Sequence, residues 1–182
     1  MTTVQGEPLV PQLVLVGVSG SGKTTVGRII SQRVGLAFID VDEAVEERLG
    51  TSMADLVVNF DPRLNEAREQ EALRALSTGG AVCTLGASQI NVESVRHSLR
   101  AAQTQGALVV ELVAGIAHVS RRQGLNGPRS VALGAPRAVL AQMIAQLHES
   151  YVAVADHSVL TDGFTPDEVA DAVMAACRLA DD

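Results

Sequence analysis

From Gly17 to Thr24 the chain reads Gly-Val-Ser-Gly-Ser-Gly-Lys-Thr, in which spaced glycines precede one amine and one hydroxyl. This is the chemistry of a phosphate cradle. Glycines at 17, 20 and 22 let successive backbone N–H groups curl around phosphate oxygens with no Cβ in the way. Lys23 places a point charge for the β- and γ-phosphates, and Thr24 offers a hydroxyl to Mg2+. Ser21 and Thr25 fall within the same loop and first helical turn. The stretch matches G-x-x-x-x-G-K-[ST] at each fixed position, follows an apolar run and opens a helical pattern, whose N-terminus adds positive charge. A nucleoside triphosphate and Mg2+ are the ligands this predicts.

A second candidate stretch is Phe38-Ile39-Asp40-Val41-Asp42. Two carboxylates at the end of a predicted strand can face the rim where ligands of open α/β sheets bind. A carboxylate capping the helix that begins near Glu43 would give the same pattern, so both readings stand.

These groups need elements to carry them. Short apolar runs at Leu13–Val18, Ala37–Asp40, Ala81–Leu85, Leu108–Val113 and Ser158–Thr161 alternate with stretches of helical period. Continuous runs of this length predict strands buried on both faces of a parallel sheet. The alternation predicts a single domain over 1–182, a three-layer α/β/α fold with a five-stranded parallel sheet. Residues 1–11 read as a loose tail. Thr165-Pro166-Asp167-Glu168 is a capping box with proline at the first helical position. Asp61 and Pro62 are expected to start the helix that carries Leu64, Ala67, Leu73 and Leu76. Glycines and prolines about 123–134 predict a mobile lid loop.

Composition excludes several classes. The net charge of −7 disfavours a nucleic-acid backbone. Aromatic residues make up only 2%, so aliphatic side chains must fill the core and no platform for stacking bases is evident. Cys83 and Cys177 read as small buried hydrophobes, and no histidine shows zinc-ligand spacing with them. The N-terminus lacks the pattern of a secretion signal, and no uncharged run is long enough to cross a bilayer. A cytoplasmic monomer acting on a small molecule, without nucleic acid or membrane partners, is expected.

Almost end to end the chain resembles the shikimate kinases. The resemblance rests on GSGKTTVGR, FIDVDEAVEERLG followed by TSMADL, TLG after the third strand, the Arg121-Arg122 pair, SYVAVAD and TDGFTPDEVADAV, in family order. It implies a P-loop kinase fold and transfer of the ATP γ-phosphate to the 3-hydroxyl of shikimate, a step in aromatic amino acid biosynthesis. By the same resemblance Lys23 and the loop from Gly17 bind the triphosphate, and Thr24 and Asp40 serve Mg2+. Asp42 binds the acceptor hydroxyls and takes a proton, Gly86 borders the acceptor, Arg122 lies along the adenine and Arg129 closes over the transferring phosphate.

The acceptor side departs from the family pattern. Leu147 stands where a second carboxylate-binding arginine is expected, with His148 its neighbour. Ala87 and Ser88 replace two glycines of a triplet that keeps Gly86. The first carboxylate-binding position is either Glu66, by the ungapped alignment that the apolar spacing favours slightly, or Arg68, if two residues are inserted upstream. A kinase for another small hydroxy acid or polyol, and an ATP-binding regulatory protein without acceptor chemistry, therefore remain alternatives.

Overall fold

The structure is a computed structural model that describes residues 10–115, 119 and 136–181. Five short runs form strands β1 (Leu13–Val16), β2 (Ala37–Asp40), β3 (Ala81–Thr84), β4 (Leu108–Val113) and β5 (His157–Leu160). All are parallel, in the order β2-β3-β1-β4-β5. The seven described α-helices are α1 (Lys23–Arg33), α2 (Val41–Leu49), α3 (Met53–Val58), α4 (Leu64–Leu76), α5 (Glu93–Thr104), α6 (Pro136–Val152) and α7 (Pro166–Cys177). None of the described helices is long and apolar enough to cross a membrane.

Successive side chains of a strand point to opposite faces, and the two cores follow that period. Leu13 and Leu15 of β1 join Val82, Val110 and Leu112 beneath α1 and α7. Val14 and Val16 join Cys83 and Val109 beneath α2, α4, α5 and Tyr151 of α6. Full burial of one such Val or Leu stabilises the fold by about 1.5–3 kcal/mol. Cys83 and Cys177 are both buried free thiols, and burial pushes Cys83 up to about 12 and Cys177 to about 11.

Three expectations need correction. Only β1 and β3 are buried throughout; β4 is half-buried at its two end residues, β2 and β5 are sheet edges, and Leu160 is largely exposed. An edge strand has a neighbour on one side alone, so an apolar run does not guarantee cover. Residues 10 and 11 are not loose: both are buried, Val10 beside Ala102 and Ala107, and the Val10 carbonyl accepts from Gly80 N–H at 3.0 Å. Asp61 and Pro62 do not start α4, which begins at Leu64. The Asp61 carboxylate instead accepts from Arg63 N–H at 2.9 Å and pairs with the Arg63 guanidinium, closing a turn ahead of the helix.

The Thr165 box forms as read. Thr165 Oγ1 accepts from Glu168 N–H, the Glu168 carboxylate accepts from Thr165 N–H at 2.7 Å, and Pro166 occupies the first position of α7. We predict that Thr165→Ala lowers unfolding free energy by about 1 kcal/mol without changing the fold. Urea denaturation checks this, and an unchanged midpoint would show that the cap contributes nothing.

Candidate active site

Strands β1 and β3 are neighbours, yet the helix after β1 packs on one face of the sheet and the helices after β3 on the other. The crevice at the strand C-termini opens where connections part in this way. The phosphate loop follows β1 there. A Cβ on Gly17 would lie 2.6 Å from the Leu112 carbonyl oxygen, so the loop's first turn requires glycine. Lys23 Nζ donates to the carbonyls of Gly17 at 2.9 Å and Val18 at 3.1 Å, which holds the loop curled. Burial pushes the Lys23 amine below its ordinary range, while Asp42 and then Asp40 pull it back up. Lys23 is also the only lysine in the chain, a fact legible in the sequence but easily passed over. Ser21 Oγ is buried in the loop without a hydrogen-bond partner among the described residues.

Asp40 settles the two readings of its stretch by satisfying both. It ends β2, and its Oδ1 accepts from the backbone N–H of Asp42 at 3.0 Å and Glu43 at 3.2 Å, capping α2. Its Oδ2 accepts from Thr24 Oγ1 at 2.7 Å. Asp42 therefore lies inside α2, two residues beyond the strand. Mg2+ takes few protein oxygens and keeps water and phosphate for the rest of its shell. The buried Asp40 carboxylate against the Thr24 hydroxyl is a donor set of that kind, beside the phosphate cradle.

The same cleft, about 550 Å³, is lined by Lys23, Thr24, Asp40, Asp42, Arg68 and Met53 among others, with Val57 and Val58 on one wall. Arg68 points into it. Its Nε lies 3.9 Å from Asp42 Oδ1, too far for a hydrogen bond. Both atoms are buried, and neither has a hydrogen-bond partner among the described residues. Arg68 Nη2 donates to the Met53 thioether at 3.1 Å. Burial pushes the Asp42 carboxyl above the usual carboxylate range, an effect that Arg68 opposes and Asp40 reinforces. Gly86 borders this pair, and a Cβ there would lie 2.8 Å from Asp42 Oδ1. Backbone must approach the carboxylate closely at that point.

Glu66, the residue of the ungapped alignment that the apolar spacing favours slightly, does not line the cleft. Glu66 is exposed and accepts from Gln70 at 2.9 Å along the outer face of α4. Glu71, four residues and about one turn past Ala67, is buried and held by Arg48 at 3.1 Å and Arg74 at 2.8 Å. The apolar spacing rested on Leu73 and Leu76, of which Leu76 is buried and Leu73 only half-buried, so it does not decide between the alignments.

Leu147 packs against the core. His148 is committed elsewhere: its Nδ1 lies 2.6 Å from Oε1 of buried Glu111 in β4, whose Oε2 accepts from Ser158 at 3.0 Å. Tyr151, one turn later on α6, donates its hydroxyl to the Ala87 carbonyl and so anchors the loop after β3. Sequence reading missed Glu111, Tyr151 and Gln89; a lone Glu inside the apolar Leu108–Val113 run was the visible sign of the first. Arg122, Arg129 and the lid at 123–134 lie outside the described residues.

The family model described as shikimate kinase matches residues 19–178. The chain belongs to the shikimate kinase family. The shikimate kinase of Salinispora tropica is 34% identical over 92% of this chain and 98% of its own length. That of Thermobifida fusca is 34% identical over 94% and 98%. Among solved structures, a shikimate kinase from Acinetobacter baumannii in complex with shikimate superposes with a TM-score of 0.72 over 92% of each chain, at 23% identity, and supports the fold. Shikimate kinases are phosphotransferases that act on an alcohol with ATP as donor.

The raised Asp42 carboxyl gives a signed prediction. Its charged form is disfavoured in the folded state, so the cost is absent below the ordinary carboxylate pKa and fully present above the raised one. Asp42→Asn should therefore be at least as stable as the parent at neutral pH. That advantage should shrink as pH falls through the raised value and be gone below the ordinary one. Thermal unfolding across pH checks it; a variant less stable at neutral pH and recovering in acid would reverse the sign.

Proposed function

We propose that this chain transfers the γ-phosphate of ATP to the 3-hydroxyl of shikimate. The observation that carries the reading is the pair Asp42 Oδ1 and Arg68 Nε, buried, 3.9 Å apart and without a hydrogen-bond partner among the described residues, in one cleft with the phosphate loop. A buried polar atom without a partner costs roughly 1–3 kcal/mol, which a bound hydroxy acid can relieve by donating to one group and accepting from the other.

The chain's residues then divide the work. The loop amides and Lys23 hold the phosphates, and Lys23 recovers the charged form that burial disfavours as phosphate oxygens approach. Asp42 receives the acceptor's proton; a carboxyl raised above its usual range is a better match to that role near neutrality. Arg68 offers its guanidinium to the acceptor carboxylate. Thr24 and Asp40 would hold Mg2+, whose chemistry there would be to offset charge on the phosphates. Phosphoryl transfer depends mainly on such positioning and charge neutralisation.

Leu147, packed into the core where a second arginine is expected, favours a weaker grip on the acceptor carboxylate than two arginines would give. One missing charged hydrogen bond amounts to roughly 10- to 100-fold in affinity. That keeps a second reading, an acceptor among other small hydroxy acids or polyols.

ADP release with Mg-ATP and shikimate, quinate or gluconate separates the readings. Shikimate should be the preferred acceptor, with Lys23→Ala and Asp42→Asn lowering turnover by about 100-fold or more. Turnover with quinate or gluconate alone would establish the second reading, and ATP binding without turnover on any acceptor would leave a nucleotide-binding protein.

A further inference from the structure

Gln89 is buried, lies in the short 3-10 turn after β3, and is absent from the residues lining the cleft. Nevertheless its side chain joins the two walls of the acceptor pocket. Its Oε1 accepts from Gly86 N–H at 2.5 Å, and its Nε2 donates to the Arg68 backbone carbonyl at 2.9 Å. The amide orientation is forced by its partners, since a backbone N–H can only donate and a carbonyl can only accept. Gly86 and Arg68 belong to separate elements, the loop after β3 and helix α4.

The significance lies in what each partner carries. Gly86 is the backbone against which Asp42 Oδ1 rests, at the distance where a Cβ would already collide. Arg68 supplies the Nε that faces Asp42 across 3.9 Å. Gly86 borders that gap on the Asp42 side and α4 on the Arg68 side, and Gln89 spans the separation of the two backbones with a hydrogen bond at each end. Tyr151 of α6 gives the same loop a second tie through the Ala87 carbonyl.

We propose that Gln89 is a positioning residue for acceptor binding, fixing the spacing of Asp42 and Arg68 without touching the substrate. The inference rests on the reading that the acceptor binds between those two groups. Loss of the clamp lets α4 and the loop drift apart and loosens the acceptor site, while the phosphate loop, on β1 and α1, keeps its geometry.

The test is Gln89→Met, which fills a similar volume and makes neither hydrogen bond. The expected result is a rise of about tenfold in KM for shikimate, with kcat and KM for ATP within about twofold. Amide exchange at Gly86, measured without any acceptor, should quicken. Gln89→Glu keeps an oxygen for Gly86 N–H but has no donor for Arg68, so it should retain Gly86 protection and show an intermediate KM. An unchanged KM for shikimate in Gln89→Met, an equal rise in KM for ATP, or unaltered Gly86 exchange would each overturn the proposal. Failure of the unaltered chain to phosphorylate shikimate would count against the acceptor reading instead. Because Gly86 exchange needs no acceptor, it judges the clamp in that case too.

Discussion

The site depends on how Asp40 divides its carboxylate. One oxygen caps α2 through the N–H groups of Asp42 and Glu43, and the other holds the Thr24 hydroxyl at the start of α1. The cap fixes the first turn of α2, which carries Asp42 over the cleft. The Thr24 bond fixes the helix that emerges from the phosphate loop. A single buried side chain therefore sets the phosphate-loop side of the cleft relative to the side that carries Asp42. Sheet register makes this possible: Asp40 pairs with Thr84 on β3, and Thr84 pairs with Leu15 on β1, so the strand ends stand level.

The far side of the cleft is held under different terms. In the phosphate loop Lys23 is satisfied by the loop carbonyls. Across the cleft, Asp42 and Arg68 face each other at a distance that gives Coulomb attraction but no hydrogen bond. Leaving buried polar atoms unpartnered lowers stability, and sites that act on ligands commonly retain such groups. Neighbouring contacts keep the arrangement from collapsing. Met53 braces the guanidinium, Glu71 ties α4 to α2 through Arg48, and the Gly86 backbone stands close against the Asp42 carboxylate.

Sequence reading recovered the fold because it relied on local signals. Five apolar runs became five parallel strands, and the Thr165 box formed as expected, since capping and periodicity involve only near neighbours. The phosphate loop was legible for the same reason. Arg68 was not, because the apolar spacing of α4 does not decide between alignments that differ in which polar residue turns toward the cleft. Long-range polar contacts left even less trace. Gln89 reaches Arg68 across 21 positions, and Glu111 reaches His148 across 37; neither spacing belongs to any local repeat. The edge strands show the converse: an apolar run predicted a strand correctly but overstated its burial.

The solitary Lys23 has a consequence outside catalysis. Every other cationic side chain of fixed charge in this protein is an arginine, whose guanidinium stays protonated and does not act as an amine nucleophile. Amine-directed reagents therefore have one side-chain amine to meet, and it lines the cleft at the phosphate loop. Its lowered proton affinity enlarges the neutral, reactive fraction at a given pH. Apart from the chain's α-amino group, amine chemistry on this protein reports on the occupancy of a single site, and coupling it to a surface through lysine would block the nucleotide cradle.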